Sequence, residues 1–332
     1  MNSSESVSMI GGGSWATALV KVLNANHHDV DWWIHNPRIA EHLRAKNHNP
    51  NYISSVNFLP ELINPSSDLE KVFRANEIIF LAVPSAFLKS ALEILTPHHF
   101  KNKLIVSAIK GMIPDENLLI AEFLEKYFSV EEKNIINISG PCHAEEVALE
   151  KLSYLTLACT NAANAKRACD LLTCDYMRCT SSDDVYGTEY AAVLKNIYAI
   201  TAGIFHGLGY GDNFHAVLIS NCIEEMERFL KAVHPITRDI KDSAYLGDLL
   251  VTAYSQFSRN RTLGAMVGKG YSVKNALLEM NMVAEGFYSS KCIHDVNKKF
   301  KVEMPIAEAT FRTLHENGIA AEEMKRVTEL IS

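Results

Sequence analysis

The strongest constraint on this chain lies near its N-terminus, where the apolar run Val7-Ser8-Met9-Ile10 passes directly into Gly11-Gly12-Gly13-Ser14-Trp15-Ala16. A strand that ends on G-x-G-x-x-A continues here as the helical stretch Trp15 to Asn26. A second strand, Val30-Asp31-Trp32-Trp33-Ile34, follows at βαβ spacing. In this arrangement Gly11 permits the tight turn, Gly13 lets backbone approach a pyrophosphate, and small Ala16 lets helix pack on strand. The helix N-terminus at Ser14 and Trp15 then faces the phosphates. The expected ligand is a dinucleotide cofactor.

Eight of the ten prolines precede residue 150, in a region where short apolar runs alternate with amphipathic stretches. That alternation describes a doubly wound α/β sheet, with strands expected at 7–10, 30–34, 77–83, 103–109, 134–139 and 153–159. Beyond Tyr190 only Pro235 and Pro305 remain, and stretches such as 213–233 and 272–280 keep helical periodicity. The chain therefore reads as a Rossmann-type α/β domain over 1–187 followed by an all-α domain over 188–332. The second domain is expected to start on a long helix through Lys195, with substrate in a cleft between the two. The run Gly207 to Asn213 has no strand before it and reads as a loop between helices.

Composition narrows the function classes. A net charge of -7 and a pI near 6.0 argue against a general nucleic-acid or anionic-membrane surface. No segment has the length of a membrane-spanning helix or the pattern of a secretory signal, so a cytoplasmic location is the default expectation. Seven cysteines without C-x-x-C spacing fit reduced thiols, and no zinc pattern or H-E-x-x-H is present, so no metal is expected.

Chemistry is carried by polar residues set in apolar surroundings. In a wound sheet, ligands bind beyond the carboxyl ends of the strands, which directs attention to His35, Pro84, Lys110 and Gly140. Lys195-Asn196 interrupts a helix that is apolar on nearly every face. A buried lysine has a lowered pKa and is a competent proton donor or acceptor near neutral pH, as ketone reduction by hydride requires. Asp248 is placed to hold it, although an aspartate after glycine also suits a helix cap. Arg259 and Arg261, in Ser258-Arg259-Asn260-Arg261, suit a phosphate through paired guanidinium hydrogen bonds.

Over essentially its whole length the chain resembles the bacterial NAD(P)-dependent glycerol-3-phosphate dehydrogenases. The likeness rests on Gly11 to Ala16, Val83-Pro84-Ser85, Lys110-Gly111, Gly140-Pro141-Cys142-His143-Ala144, Lys195-Asn196, Leu246-Gly247-Asp248-Leu249, Ser258 to Arg261 and Ala284-Glu285-Gly286. It implies hydride transfer between NAD(P)H and dihydroxyacetone phosphate, giving sn-glycerol 3-phosphate for phospholipid synthesis. Lys195 would be the proton donor, with Lys110 and Asp248 positioning the substrate. Gly140, Cys142, Asn196, Ser258, Arg259 and Asn260 would contact the substrate. Gly11, Gly13, Ser14, Trp15, His35, Arg38, Pro84, Lys110, Ala144, Arg259, Val283 and Glu285 would contact the cofactor. Three positions depart from the family pattern: Ala16 for glycine, Cys142 for threonine or serine, and Tyr245 for glycine.

The end of the second strand bears on cofactor choice. NAD-specific sites place a carboxylate there, whereas this chain has His35-Asn36-Pro37-Arg38, so NADPH is expected to be accepted alongside NADH. Two rival readings are a two-domain hydroxy-acid dehydrogenase, whose substrate carboxylate would use Arg259, and a nucleotide-sensing binding protein. A homodimer is the commonest closed assembly for such a chain.

Overall fold

Strand, glycine turn and helix at the N-terminus sit inside a larger pattern. In the computed structural model, which describes residues 5–280 and 282–332, the chain divides into two compact units. The first holds the residues up to Ile109 together with Ile120–Val185, and the second holds Lys110–Leu119 with Tyr186–Ser332.

The first unit is built on eight strands: β1 (Ser6–Ile10), β2 (Asp29–Trp33), β3 (Ile63–Ser66), β4 (Ile78–Leu81), β5 (Leu104–Ser107), β6 (Ile135–Ser139), β7 (Ser153–Ala158) and β8 (Met177–Ser182). They lie in the order β3-β2-β1-β4-β5-β6-β7-β8, parallel throughout except for the antiparallel β6–β7 pair. β4, β5 and β6 are buried along their whole lengths, as their Ile, Leu, Val and Phe content requires when helices cover both faces. Ser8, the polar residue inside β1, is satisfied by donating to the Val72 carbonyl at 2.6 Å. Register aligns Ile10 with Trp33 on one side and Leu81 on the other, and Leu81 with Ser107. Gly11, Ile34, Ala82 and Ala108 therefore leave the sheet along one edge, where a wound sheet binds its ligands.

Sequence periodicity does not find β3 or β8, and both are margins of the sheet. β3 reads Ile-Asn-Pro-Ser, with a proline tolerated because an edge strand has one unpaired side. β8 reads Met-Arg-Cys-Thr-Ser-Ser and buries little beyond Met177. Neither has the apolar run that marks a central strand. The strand expected at 103–109 stops at Ser107, and the chain after Ile109 contributes Lys110–Leu119 to the second unit. A contiguous division at 187 differs from these compact units in keeping that segment with the sheet.

Among the described residues the second unit is helical from Tyr186 onward. Its axis is the Val185–Gly207 helix, buried at every position from Tyr190 to Phe205, which is why this helix is apolar all round. Side chains from the helices Asp212–Val233, Arg259–Gly268, Glu285–Phe300, Pro305–His315 and Ala320–Leu330 share its core. The chain from Leu208 to Gly211 is a loop, with Gly209 at φ +90°. No described helix is long and apolar enough to cross a membrane.

Glycines set the closest approach in this unit. A Cβ on Gly203 would lie 2.1 Å from the Arg261 carbonyl oxygen, one on Gly264 2.0 Å from that of Ile200, and one on Gly268 2.2 Å from that of Ile204. The Val185–Gly207 and Arg259–Gly268 helices therefore touch backbone to backbone. Their contact holds Asn196 on one beside Asn260 on the other.

Candidate active site

In the first unit, the residues marked by sequence gather at the carboxyl edge of the sheet. Gly11 adopts φ +130°, and a Cβ there would stand 2.5 Å from the Ala82 carbonyl oxygen, so both conformation and space demand glycine. Gly13 is the extended residue before the Ser14–Ala25 helix, and no atom lies within 4 Å of where its Cβ would be. It gives the helix no capping side chain. An open, uncapped helix N-terminus fits a diphosphate, with buried Ser14 and half-buried Trp15 in its first turn.

His35 and Arg38 are exposed just beyond β2, and Asn36 caps the Pro37–Lys46 helix by accepting the Arg38 backbone N–H at 3.0 Å. Asp31, within β2, accepts a hydrogen bond from Asn76 Nδ2 at 2.8 Å. Pro84 precedes the Ser85–Ala91 helix, and Ala144 begins the Ala144–Ala148 helix. Gly140 has φ +113°, and the Cys142 thiol donates to the Tyr154 carbonyl at 3.1 Å, toward its own sheet.

In the second unit three charged side chains meet. Asp248 starts the Asp248–Tyr254 helix directly after a π-type turn, Ser243–Gly247, and its carboxylate is fully buried. Lys110 Nζ donates to Asp248 Oδ2 at 2.9 Å, and Lys195 Nζ donates to Asp248 Oδ1. Lys195 also donates to Thr252 Oγ1 at 3.0 Å, and Thr252 donates in turn to the Asp248 carbonyl at 2.6 Å. One helix turn thus presents both carboxylate and hydroxyl to the buried lysine. Nothing in the sequence singles out Thr252 except its position four residues after Asp248, one turn along the same face.

The electrostatics follow from this geometry. Burial, the largest influence, drives the Lys195 pKa down to about 7; Asp248 opposes that shift and Lys110 reinforces it. Burial pushes the Asp248 carboxyl up, but the two lysines outweigh it and hold the group below its ordinary value. The result is a permanent carboxylate beside an amine that changes protonation near neutrality.

A chain of amide hydrogen bonds braces this trio. Gly286 N–H donates to Asn260 Oδ1 at 3.0 Å, Asn260 Nδ2 to Asn196 Oδ1 at 2.9 Å, and Asn196 Nδ2 to the Lys110 carbonyl at 2.8 Å. Ser258 caps the Arg259–Gly268 helix by accepting the Arg261 N–H at 3.3 Å. Arg259 is half-buried, and its guanidinium reaches the Val283 carbonyl at 3.4 Å, two residues before Glu285 opens the Glu285–Phe300 helix. Asn196 and Asn260 are thus largely committed to protein partners.

Comparison with known proteins is consistent along the whole chain. Residues 6–165 match the family described as NAD-dependent glycerol-3-phosphate dehydrogenase N-terminus, and residues 184–325 match the corresponding C-terminus. A glycerol-3-phosphate dehydrogenase [NAD(P)+] of Limosilactobacillus reuteri (strain DSM 20016) is 35% identical over 94% of this chain and 93% of its own length. One from Bacillus pumilus (strain SAFR-032) is 35% identical over 93% and 90%. The crystal structure of glycerol-3-phosphate dehydrogenase from Coxiella burnetii superposes with a TM-score of 0.92 at 28% identity, covering 98% of this chain and 99% of that one.

Proposed function

The chain belongs to the NAD-dependent glycerol-3-phosphate dehydrogenase family, and we infer that it interconverts dihydroxyacetone phosphate and sn-glycerol 3-phosphate with Lys195 as its acid and base. It is an NAD(P)-dependent oxidoreductase acting on a CH–OH group. The observation that carries the residue assignment is the buried lysine, brought to a pKa near 7 beside a fixed carboxylate.

A bound reduced nicotinamide supplies the hydride that carbon 2 of the ketone takes up. Lys195 Nζ gives its proton to the oxygen on carbon 2, so that C=O becomes CH–OH. In the reverse direction the neutral amine takes the same proton back. Asp248 fixes both lysine ends, and with both protonated the trio carries one net positive charge, complementary to negative charge developing on the oxygen. Arg259 pairs with the substrate phosphate through its guanidinium, and Asn260, braced by Asn196 and Gly286, directs its remaining N–H to the same group. Gly11, Gly13, Ser14 and Trp15 receive the pyrophosphate, while His35 and Arg38 accept a 2′-phosphate where no carboxylate repels it. A cytoplasmic homodimer completes the reading, and light scattering of the eluting protein tests the dimer.

The test is oxidation of NADPH and of NADH by purified protein given dihydroxyacetone phosphate, with Lys195→Ala alongside. Turnover that falls by about 10²- to 10⁴-fold in the variant is expected, the range for loss of a general acid. No turnover of dihydroxyacetone phosphate by protein that binds NADPH and reduces a 2-oxo acid would transfer the assignment to hydroxy-acid chemistry.

A further inference from the structure

In the glycine run, a side chain engages each of the three carbonyls. Trp32 Nε1 on β2 donates to the Gly11 carbonyl at 2.6 Å, Asn49 Nδ2 to that of Gly12 at 3.1 Å, and Thr17 Oγ1 to that of Gly13 at 2.9 Å. The second Asn49 Nδ2 hydrogen goes to Thr17 Oγ1 at 2.9 Å. Asn49 is fully buried, and its Oδ1 accepts the backbone N–H groups of Asn51 and Tyr52 at 3.0 and 3.3 Å. Every hydrogen-bonding position of this carboxamide is therefore filled, and its orientation is forced.

A trans peptide plane points its N–H opposite its C=O. Anchoring the carbonyls of Gly11, Gly12 and Gly13 therefore aims the N–H groups of Gly12, Gly13 and Ser14 the other way. Glycine has no side chain to resist peptide rotation, so three successive flexible units need external restraint if their amides are to converge on one anion. We propose that Asn49, with Trp32 and Thr17, is a positioning residue for the cofactor diphosphate, setting affinity for the dinucleotide without touching it. This rests on the dehydrogenase reading given above.

The closing experiment measures NADPH, NADH, ADP and adenosine affinity by fluorescence titration, with steady-state kinetics, for wild type and for Asn49→Ala, Trp32→Phe and Thr17→Val. Thr17→Ser, which keeps the hydroxyl, is the conservative rescue, and Trp32→Phe keeps the ring if Asn49→Ala fails to fold. We expect NADPH, NADH and ADP, all bearing a diphosphate, to weaken about tenfold with Asn49→Ala, the loss of a buried hydrogen bond. Adenosine affinity, kcat at saturating cofactor and KM for dihydroxyacetone phosphate should stay near wild type, and Thr17→Ser should restore what Thr17→Val loses. Folded variants with wild-type ADP affinity would overturn the proposal, as would equal losses for adenosine and ADP. Wild-type protein that binds dinucleotide but does not turn over dihydroxyacetone phosphate would overturn only the functional reading, leaving the affinity series to decide this one.

Discussion

At the residue scale, the site depends on one carboxylate serving two lysines. Asp248 is buried, and removing its charge leaves two ammonium groups facing each other in a poorly solvated pocket. Because Asp248 raises the Lys195 pKa against burial, Asp248→Asn should move it still lower. The limb of the pH profile assigned to Lys195 should then shift below pH 7, with kcat/KM for dihydroxyacetone phosphate falling by about 10²-fold or more. A profile in Asp248→Asn superimposable on wild type would show that the carboxylate does not act on Lys195. The burial of Lys195 was legible in the sequence because a charge inside an apolar helix is conspicuous. The role of Asp248 was ambiguous, because the same residue after glycine can cap a helix, and here it begins one as well as holding both lysines. Thr252 and Asn49 were not legible, since neither polar residue is unusual until its hydrogen bonds are known.

At the element scale, the second unit depends on helices that meet through glycine. Gly203-x-x-x-Gly207 and Gly264-x-x-x-Gly268 place hydrogen where any side chain would strike backbone. Gly264→Ala should cost about 1–3 kcal/mol of stability by forcing the helices apart. It should also lower kcat/KM, because the displaced elements carry Asn196 and Asn260. Chemical denaturation and kinetics on the same preparation check both, and a variant with wild-type stability and activity would contradict the close packing. Spacing of four between glycines was present in the sequence, but it acquires meaning only when two such helices face each other. The central strands were found because residues covered on both faces are apolar throughout. β3 and β8 escaped because edge strands carry the polar residues and proline that discourage further pairing.

At the scale of the whole molecule, the two-part plan was readable from the shift in proline and periodicity, whereas the transfer of Lys110–Leu119 to the second unit was not. Composition does not report that a short loop joins elements distant in sequence. Cofactor choice belongs to this scale because the entire dinucleotide must be held. Arg38 is exposed beyond β2, and the segment His35 to Arg38 carries no carboxylate, so Arg38→Ala should weaken NADPH about tenfold and leave NADH unchanged, the scale of one charge-assisted hydrogen bond. Equal effects on the two cofactors, measured as KM, would remove Arg38 from that role. The central claim is that one lysine near pKa 7 serves both directions of the reaction, and the most direct test is the pH dependence of kcat/KM in each. Ionisation of the substrate phosphate, with a pKa of about 6, affects ketone and alcohol alike and moves both directions the same way. Lys195 moves them oppositely: ketone reduction should fall as pH rises through about 7, when the ammonium is lost, and alcohol oxidation should rise over the same interval, when the free amine appears. Profiles that move together in both directions, or that show no transition near pH 7, would contradict the account.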